Sequence, residues 1–410
     1  MDILFVHKNF PAQFRVLSQV LASDPAHRVV FLTNRDDPQA FPVPGVEPHR
    51  FELHRGVNPG THHYLHSVEE GVLTGQAVLR EALRLRETGF RPRLIIFHAG
   101  TGVGLYVSQA FPEAKTVGYF EWYFRPEHNR DLLGSDDVET SCRALSSNFL
   151  LFQDLEACDA AVVPTSWQQA QFPPAYQDKL RVIFDGLDTA FFSPALADDD
   201  LVFQPVDSDC PMLVRSHDLL MTYATRGMEP LRGFPEFMRM LPPLLAQYPS
   251  LHVVIAGQDR QAYSYPAPTH EGSWKRFMLA ELGHFPGCER LCFVGSLDYA
   301  RYRDLLRRSD LHCYFSRPYI TSWSLFEAVA CGTRLMVNSG PHTSGLLPHG
   351  VARWVDLDDS LGLLSAAQAH LEAAPHLQQD LRQSLLPESF GLAASLSGWQ
   401  SLLRELLGQV

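Results

Sequence analysis

Short apolar runs alternate with longer stretches in which apolar residues recur at helical spacing. In the first half the runs are Asp2–Val6, Arg28–Thr33, Leu94–Phe97, Lys115–Phe120 and Ala160–Pro164. In the second half they are Pro211–Val214, Leu251–Gly257, Leu291–Gly295, Leu311–Phe315 and Arg334–Asn338. Runs with little polar alternation predict strands buried on both faces, as in parallel sheets. Between them, Phe14–Leu21, Val68–Thr88, Leu305–Ser309 and Ser322–Cys331 carry helical patterns. Strands alternating with helices predict an α/β protein with helix-wound parallel sheets, whose ligands sit at the carboxyl ends of the strands. Leu392, Leu396, Trp399, Leu403 and Leu406 add an amphipathic C-terminal helix. Residues 34–66, with five prolines, read as loop-rich.

The most informative stretch is Leu311–Ser339, LHCYFSRPYITSWSLFEAVACGTRLMVNS. It predicts strand, loop, helix and strand, with Gly332 ending the helix. A loop feeding a helix start presents backbone N–H groups and a favourable dipole to a phosphate, here around Ser322, Trp323 and Ser324. Glu327 lies just beyond the first turn, where a carboxylate either accepts hydrogen bonds from a ribose diol or faces solvent. Upstream, YATRGMEPLRGFPEF places Arg226 and Arg232 six residues apart. Two fixed cations would stabilise a nucleoside diphosphate as it leaves; exposed arginines are the plain alternative. In the first half, His7 and Asn9 follow one strand and His98 follows another, opening HAGTGVG, whose glycines would let backbone approach a ligand. YFEWYFRPEHNRD combines rings with Glu121 and Arg125, a mixture that suits sugar faces and hydroxyls as well as an aromatic cluster.

SWSLFEAVACG followed by a strand resembles the nucleotide-sugar motif of glycosyltransferase family 4, which has the GT-B fold. HKNFPAQF, PTSWQQAQFP, DGLD, RGFPEF and SRPYITSWSLFEA extend the likeness over nearly the whole chain, toward one subgroup of that family. The resemblance implies two Rossmann-like domains closing over the donor, with residues 1–194 on the acceptor side, 195–211 as linker, 212–385 binding the nucleotide sugar, and 386–410 returning to the first domain. It implies Glu327 on the ribose, Gly295 beside the base, Arg226 and Arg232 on the diphosphate, and His98 at the sugar or acceptor. His7, Asn9, Glu121 and Arg125 would bind the acceptor. Tyr319 stands where the family has its first Glu, eight residues before Glu327, so the usual contact to the transferred sugar is not implied. The expected activity is retaining, metal-independent transfer of a hexose-type sugar from a UDP- or GDP-sugar to a hydroxyl acceptor, with no other cofactor. A nucleotide-sugar epimerase or hydrolase, and an inactive binding partner on the same scaffold, are the alternatives.

Composition narrows the surroundings. The 410 residues are 45% hydrophobic and 20% charged, enough for two cores. No apolar run approaches the roughly 18 residues of a membrane span, although peripheral membrane contact stays open. MDILFVHKNF lacks a basic leader and reads as a first strand. Net charge is −12, and residues 1–195 and 196–410 each hold 17 basic and 23 acidic side chains, an even acidic balance unsuited to nucleic acid. Seven cysteines without a CxxC pair predict reduced thiols in a cytoplasmic protein. No metal is expected at Cys288 and Cys292, at the histidines 62, 63 and 66, or at Asp207-Ser208-Asp209, one of several acidic strings. Nothing sets the oligomeric state.

Overall fold

The computed structural model describes residues 1–195, 199–377 and 383–408. They form two units, the first of residues 1–129, 136–186 and 392–408, the second of 130–135, 187–195, 199–377 and 383–391. In the first unit, β1 (Asp2–His7), β2 (Arg28–Thr33), β3 (Val46–Arg50), β4 (Pro92–His98), β5 (Lys115–Tyr119), β6 (Ala160–Val163) and β7 (Leu180–Val182) make one sheet, ordered β3-β2-β1-β4-β5-β6-β7. Every pair in it is parallel.

In the second unit, β8 (Leu201–Phe203) and β9 (Met212–Val214) form an antiparallel pair. β10 (Leu219–Gly227), β11 (Leu251–Gln258), β12 (Leu291–Gly295), β13 (Leu311–Tyr314), β14 (Leu335–Asn338) and β15 (Ala352–Val355) form a six-stranded sheet ordered β12-β11-β10-β13-β14-β15. It too is parallel throughout.

Both central strands are apolar on both faces because both faces are covered. On β1, Ile3 and Phe5 join one core with Phe31 and Val117, while Leu4 and Val6 join another with Leu32 and Ile95. On β10, Met221 and Tyr223 face one core and Leu220 the other. The helix Leu392–Leu407 belongs to the first unit, where Trp399, Leu402 and Leu403 pack with Ile3 and Phe5. Burying one such side chain is worth about 2 kcal/mol, so sequence-distant residues contribute to this core as fully as local ones.

Within the loop-rich residues 34–66, Val46–Arg50 pairs with Val29–Thr33 as an edge strand. The stretch read as linker, 195–211, includes β8 and adds to the second unit: Val206 N–H bonds Phe293 O at 2.8 Å, and Asp207 pairs with buried Lys275. No helix among the described residues is long and apolar enough to cross a membrane.

Candidate functional site

A parallel sheet brings the carboxyl ends of all its strands to one edge. In the first unit this gathers His7 from β1, His98 from β4 and Glu121 beyond β5. The two imidazole rings stand 4.6 Å apart. His98 Nε2 lies 3.1 Å from Glu121 Oε2, and Gln13 Nε2 donates to Glu121 Oε1 at 2.8 Å. Burial, reinforced by the nearby His98, lowers His7 to about 3, so it is neutral; its Nδ1 accepts the Asn9 amide at 2.7 Å. Burial would raise Glu121, but bonds to His98 and Gln13 hold it below the usual carboxylate value. A neutral imidazole beside an ionised carboxylate can donate to and accept from sugar hydroxyls.

The side chains of Asn9 and Arg125 do not join this group. The Asn9 side-chain oxygen accepts from the Phe10 amide and from Arg35 Nη1, at 2.9 and 3.0 Å. Arg125 Nε donates to Gln171 O at 2.6 Å, so it braces the loop before β7. The glycines after His98 serve packing: at Gly102, where φ is +87°, a Cβ would come within 2.1 Å of Gly71 O on the helix His66–Glu87. Asp154 receives the Gly100 amide at 2.7 Å, and burial raises its carboxyl to about 7.

In the second unit the same edge collects Arg226 from β10, the loop after β11, Gly295 at the end of β12, and the segment joining β13 to the helix Trp323–Ala330. Arg232 is buried; its Nη1 donates to Ser316 Oγ at 2.7 Å and Ile320 O at 3.3 Å. It therefore points into the loop that feeds the helix. Asn338 fixes that loop by exchanging two bonds with the Ser316 backbone, at 2.8 and 2.7 Å. Arg226 Nη1 donates to the Tyr263 hydroxyl at 2.8 Å. The Arg226 and Arg232 guanidinium carbons lie 5.8 and 5.5 Å from the centroid of the Tyr263 ring. Cations at this range are attracted to the ring. The two arginines thus share one aromatic platform, and Tyr319 adjoins it with ring centroids 5.5 Å apart.

At the helix start, Ser322 accepts the Ser324 amide and itself donates its amide to the Tyr314 hydroxyl at 3.1 Å. Those two N–H groups are already engaged within the protein. Trp323 is 37% exposed. Glu327 turns inward, not to solvent: it is buried, and desolvation raises its carboxyl to about 7 against the opposing pull of Tyr302. Gly295 has φ +66°, and a Cβ there would meet Val206 at 2.9 Å. Arg317, on the same loop, is held by Glu236 at 2.8 Å and Asp358 at 2.9 Å, away from the Tyr263 platform. Sequence reasoning missed Tyr263, which lies in an irregular Pro- and Ser-containing loop with no period to read.

Among the described residues no group of three or more His, Cys, Asp or Glu is arranged for a metal. The histidines of 62–66 have other partners: His63 meets Glu139 at 2.7 Å and His66 meets Thr61 O at 2.7 Å. All seven cysteines are free thiols.

Residues 25–192 match the family model described as the glycosyl transferase family 4 group. Over that stretch the chain is similar to the family 4-group glycosyltransferases. No curated protein matches it. Among solved structures, the chain is similar to sucrose-phosphate synthase of Thermosynechococcus elongatus, at 16% identity and TM-score 0.70 over 99% of both chains. HepE of Anabaena, in complex with UDP-glucose, aligns at 15% identity and TM-score 0.64 over 98% of this chain and 99% of that one. The catalytic domain of starch synthase IV from Arabidopsis thaliana, bound to ADP and acarbose, aligns at 12% and 0.63 over 100% and 99%. At these identities the likeness is one of fold, and the fold is GT-B.

Proposed function

We propose that this chain is a glycosyltransferase that moves a hexose-type sugar from a nucleoside-diphosphate sugar to a hydroxyl acceptor, with retention at the anomeric carbon and without a metal. The observation that carries the reading is the pair Arg226 and Arg232 on one tyrosine ring, with Arg232 bonded into the loop that opens the Glu327 helix. As the glycosidic bond breaks, negative charge grows on the diphosphate. Guanidinium groups fixed in place beforehand stabilise that charge without reorganising.

Glu327, once ionised, accepts from the ribose diol. The leaving phosphate oxygen takes the acceptor proton from the same face, so no protein nucleophile is required. His98 with Glu121 and His7 offers the first unit's polar contacts for acceptor hydroxyls. HepE with UDP-glucose and starch synthase IV with ADP support the choice of a nucleoside diphosphate as leaving group.

Calorimetry with UDP, GDP and ADP tests the donor assignment. The wild-type chain should bind one of them, and Glu327→Ala should weaken that binding about tenfold or more, the loss expected for hydrogen bonds to a charged group. Unchanged binding of every nucleoside diphosphate by the variant would remove Glu327 from the site. A second reading, epimerisation, is favoured by the fold likeness to a putative UDP-N-acetylglucosamine 2-epimerase from Listeria monocytogenes, at TM-score 0.52 and 13% identity. Incubation with donor alone separates the two, because an epimerase changes the nucleotide sugar without any acceptor.

A further inference from the structure

Where β10 ends the chain reads Gly227-Met228-Glu229-Pro230. Glu229 is fully buried, at 0% exposure. A carboxylate so far from water is tolerated only where hydrogen bonds replace its hydration. Its Oε2 accepts three consecutive backbone amides of the loop after β11, from Ala262, Tyr263 and Ser264, at 2.9, 3.0 and 3.0 Å. Three N–H groups converging on one oxygen form an anion nest, here filled by the protein's own side chain. The other oxygen, Oε1, is buried with no partner. An oxygen left in that state destabilises the fold, so the residue's value lies in what it holds.

What it holds is the residue between the two arginines. Asp259 to Thr269 has no helix or strand that would fix Tyr263 otherwise. Among the described residues, the Tyr263 hydroxyl is the one hydrogen-bond partner of the exposed Arg226 guanidinium. Gly227 lets the loop sit against the strand end, since a Cβ there would fall 2.5 Å from Arg260 O.

We propose that Glu229 is the positioning residue of the phosphate site: its buried carboxylate clamps the 262–264 amides so that Tyr263 sets the spacing of Arg226 and Arg232. It touches no substrate and acts through Tyr263. The proposal rests on the donor site described above.

A double-mutant cycle on the full chain tests it, with Glu229→Gln, Tyr263→Ala and the pair, read as calorimetric Kd for nucleoside diphosphate and for the matching nucleoside. Glu229→Gln keeps the shape and loses the charge; Glu229→Asp, which draws the carboxylate back, replaces it in the cycle should the glutamine variant not fold. Each single variant should weaken the diphosphate about tenfold and leave the nucleoside within about twofold. The pair should be no weaker than Tyr263→Ala alone, because residues acting as one unit are not additive. Hydrogen exchange at 262–264 should quicken in the Glu229 variant. Additive losses, or equal losses for diphosphate and nucleoside, would mark a merely structural residue and overturn the proposal. A wild-type chain that binds nucleoside diphosphate while the Glu229 variant binds it equally well removes only this role; a wild type that binds none removes the donor site itself.

Discussion

Glu327 and Arg232 are polar groups kept inside the protein, and their chemistry follows from that. Arg232 is 7% exposed yet satisfied by Ser316 and Ile320, which fixes its guanidinium in one orientation. Glu327 has a less complete shell, and burial lifts it to about 7. Its protonated form is therefore the major one below that pH in the unliganded chain, and only the ionised form accepts both diol hydrogens. Donor affinity should rise with pH through about 7 and level off above, gaining about tenfold between pH 6 and pH 8. The diphosphate titrates in the same range, so the measurement is the ratio of wild-type to Glu327→Gln affinity at the two pH values, in which the ligand's own protons cancel. A ratio that does not change would show that Glu327 titrates outside this window or does not touch the nucleotide.

At the scale of elements, the interior strands were readable because helices cover both of their faces, which selects long apolar runs such as LHVVIAG and RVVFLT. The edge strands Val46–Arg50 (VEPHR) and Ala352–Val355 (ARWV) were not, since an edge is half-exposed and carries charge against unwanted pairing. Site residues divide in the same way. Arg226, Arg232 and Glu327 sit next to strand ends and a helix, where spacing has meaning. Tyr263 and Glu229 meet only through the irregular loop after β11, and no local pattern announces a bond across 33 to 35 residues. Arg125 shows the converse: its aromatic setting suggested ligand binding, whereas its guanidinium is used on the carbonyls of Gln171 and Ala170. The C-terminal helix was legible from its apolar stripe. Trp399→Ala should lower the first unit's stability by about 3 kcal/mol or more, the usual loss for emptying a buried aromatic site. Chemical denaturation checks this, and a loss below about 1 kcal/mol would mean that the helix packs loosely.

For the whole molecule, two parallel sheets each place polar side chains at their carboxyl edges, within a fold shared with the GT-B structures it resembles. Identity to those structures is only 12–16%, so the likeness is one of fold rather than of residues. The net charge of −12 makes the local placement of cations important, because the anionic donor proposed above would approach an acidic molecule. Arg226 and Arg232 on Tyr263 supply a positive site within that background. The central claim is that this site grips a diphosphate, and the most direct measurement compares the calorimetric Kd of UDP, GDP and ADP with that of the corresponding nucleosides. The account predicts that one nucleoside diphosphate binds about a hundredfold or more tighter than its nucleoside, an increment of about 3 kcal/mol from two charge-assisted contacts. A nucleoside that binds as tightly as its diphosphate, or a chain that binds neither, would contradict it.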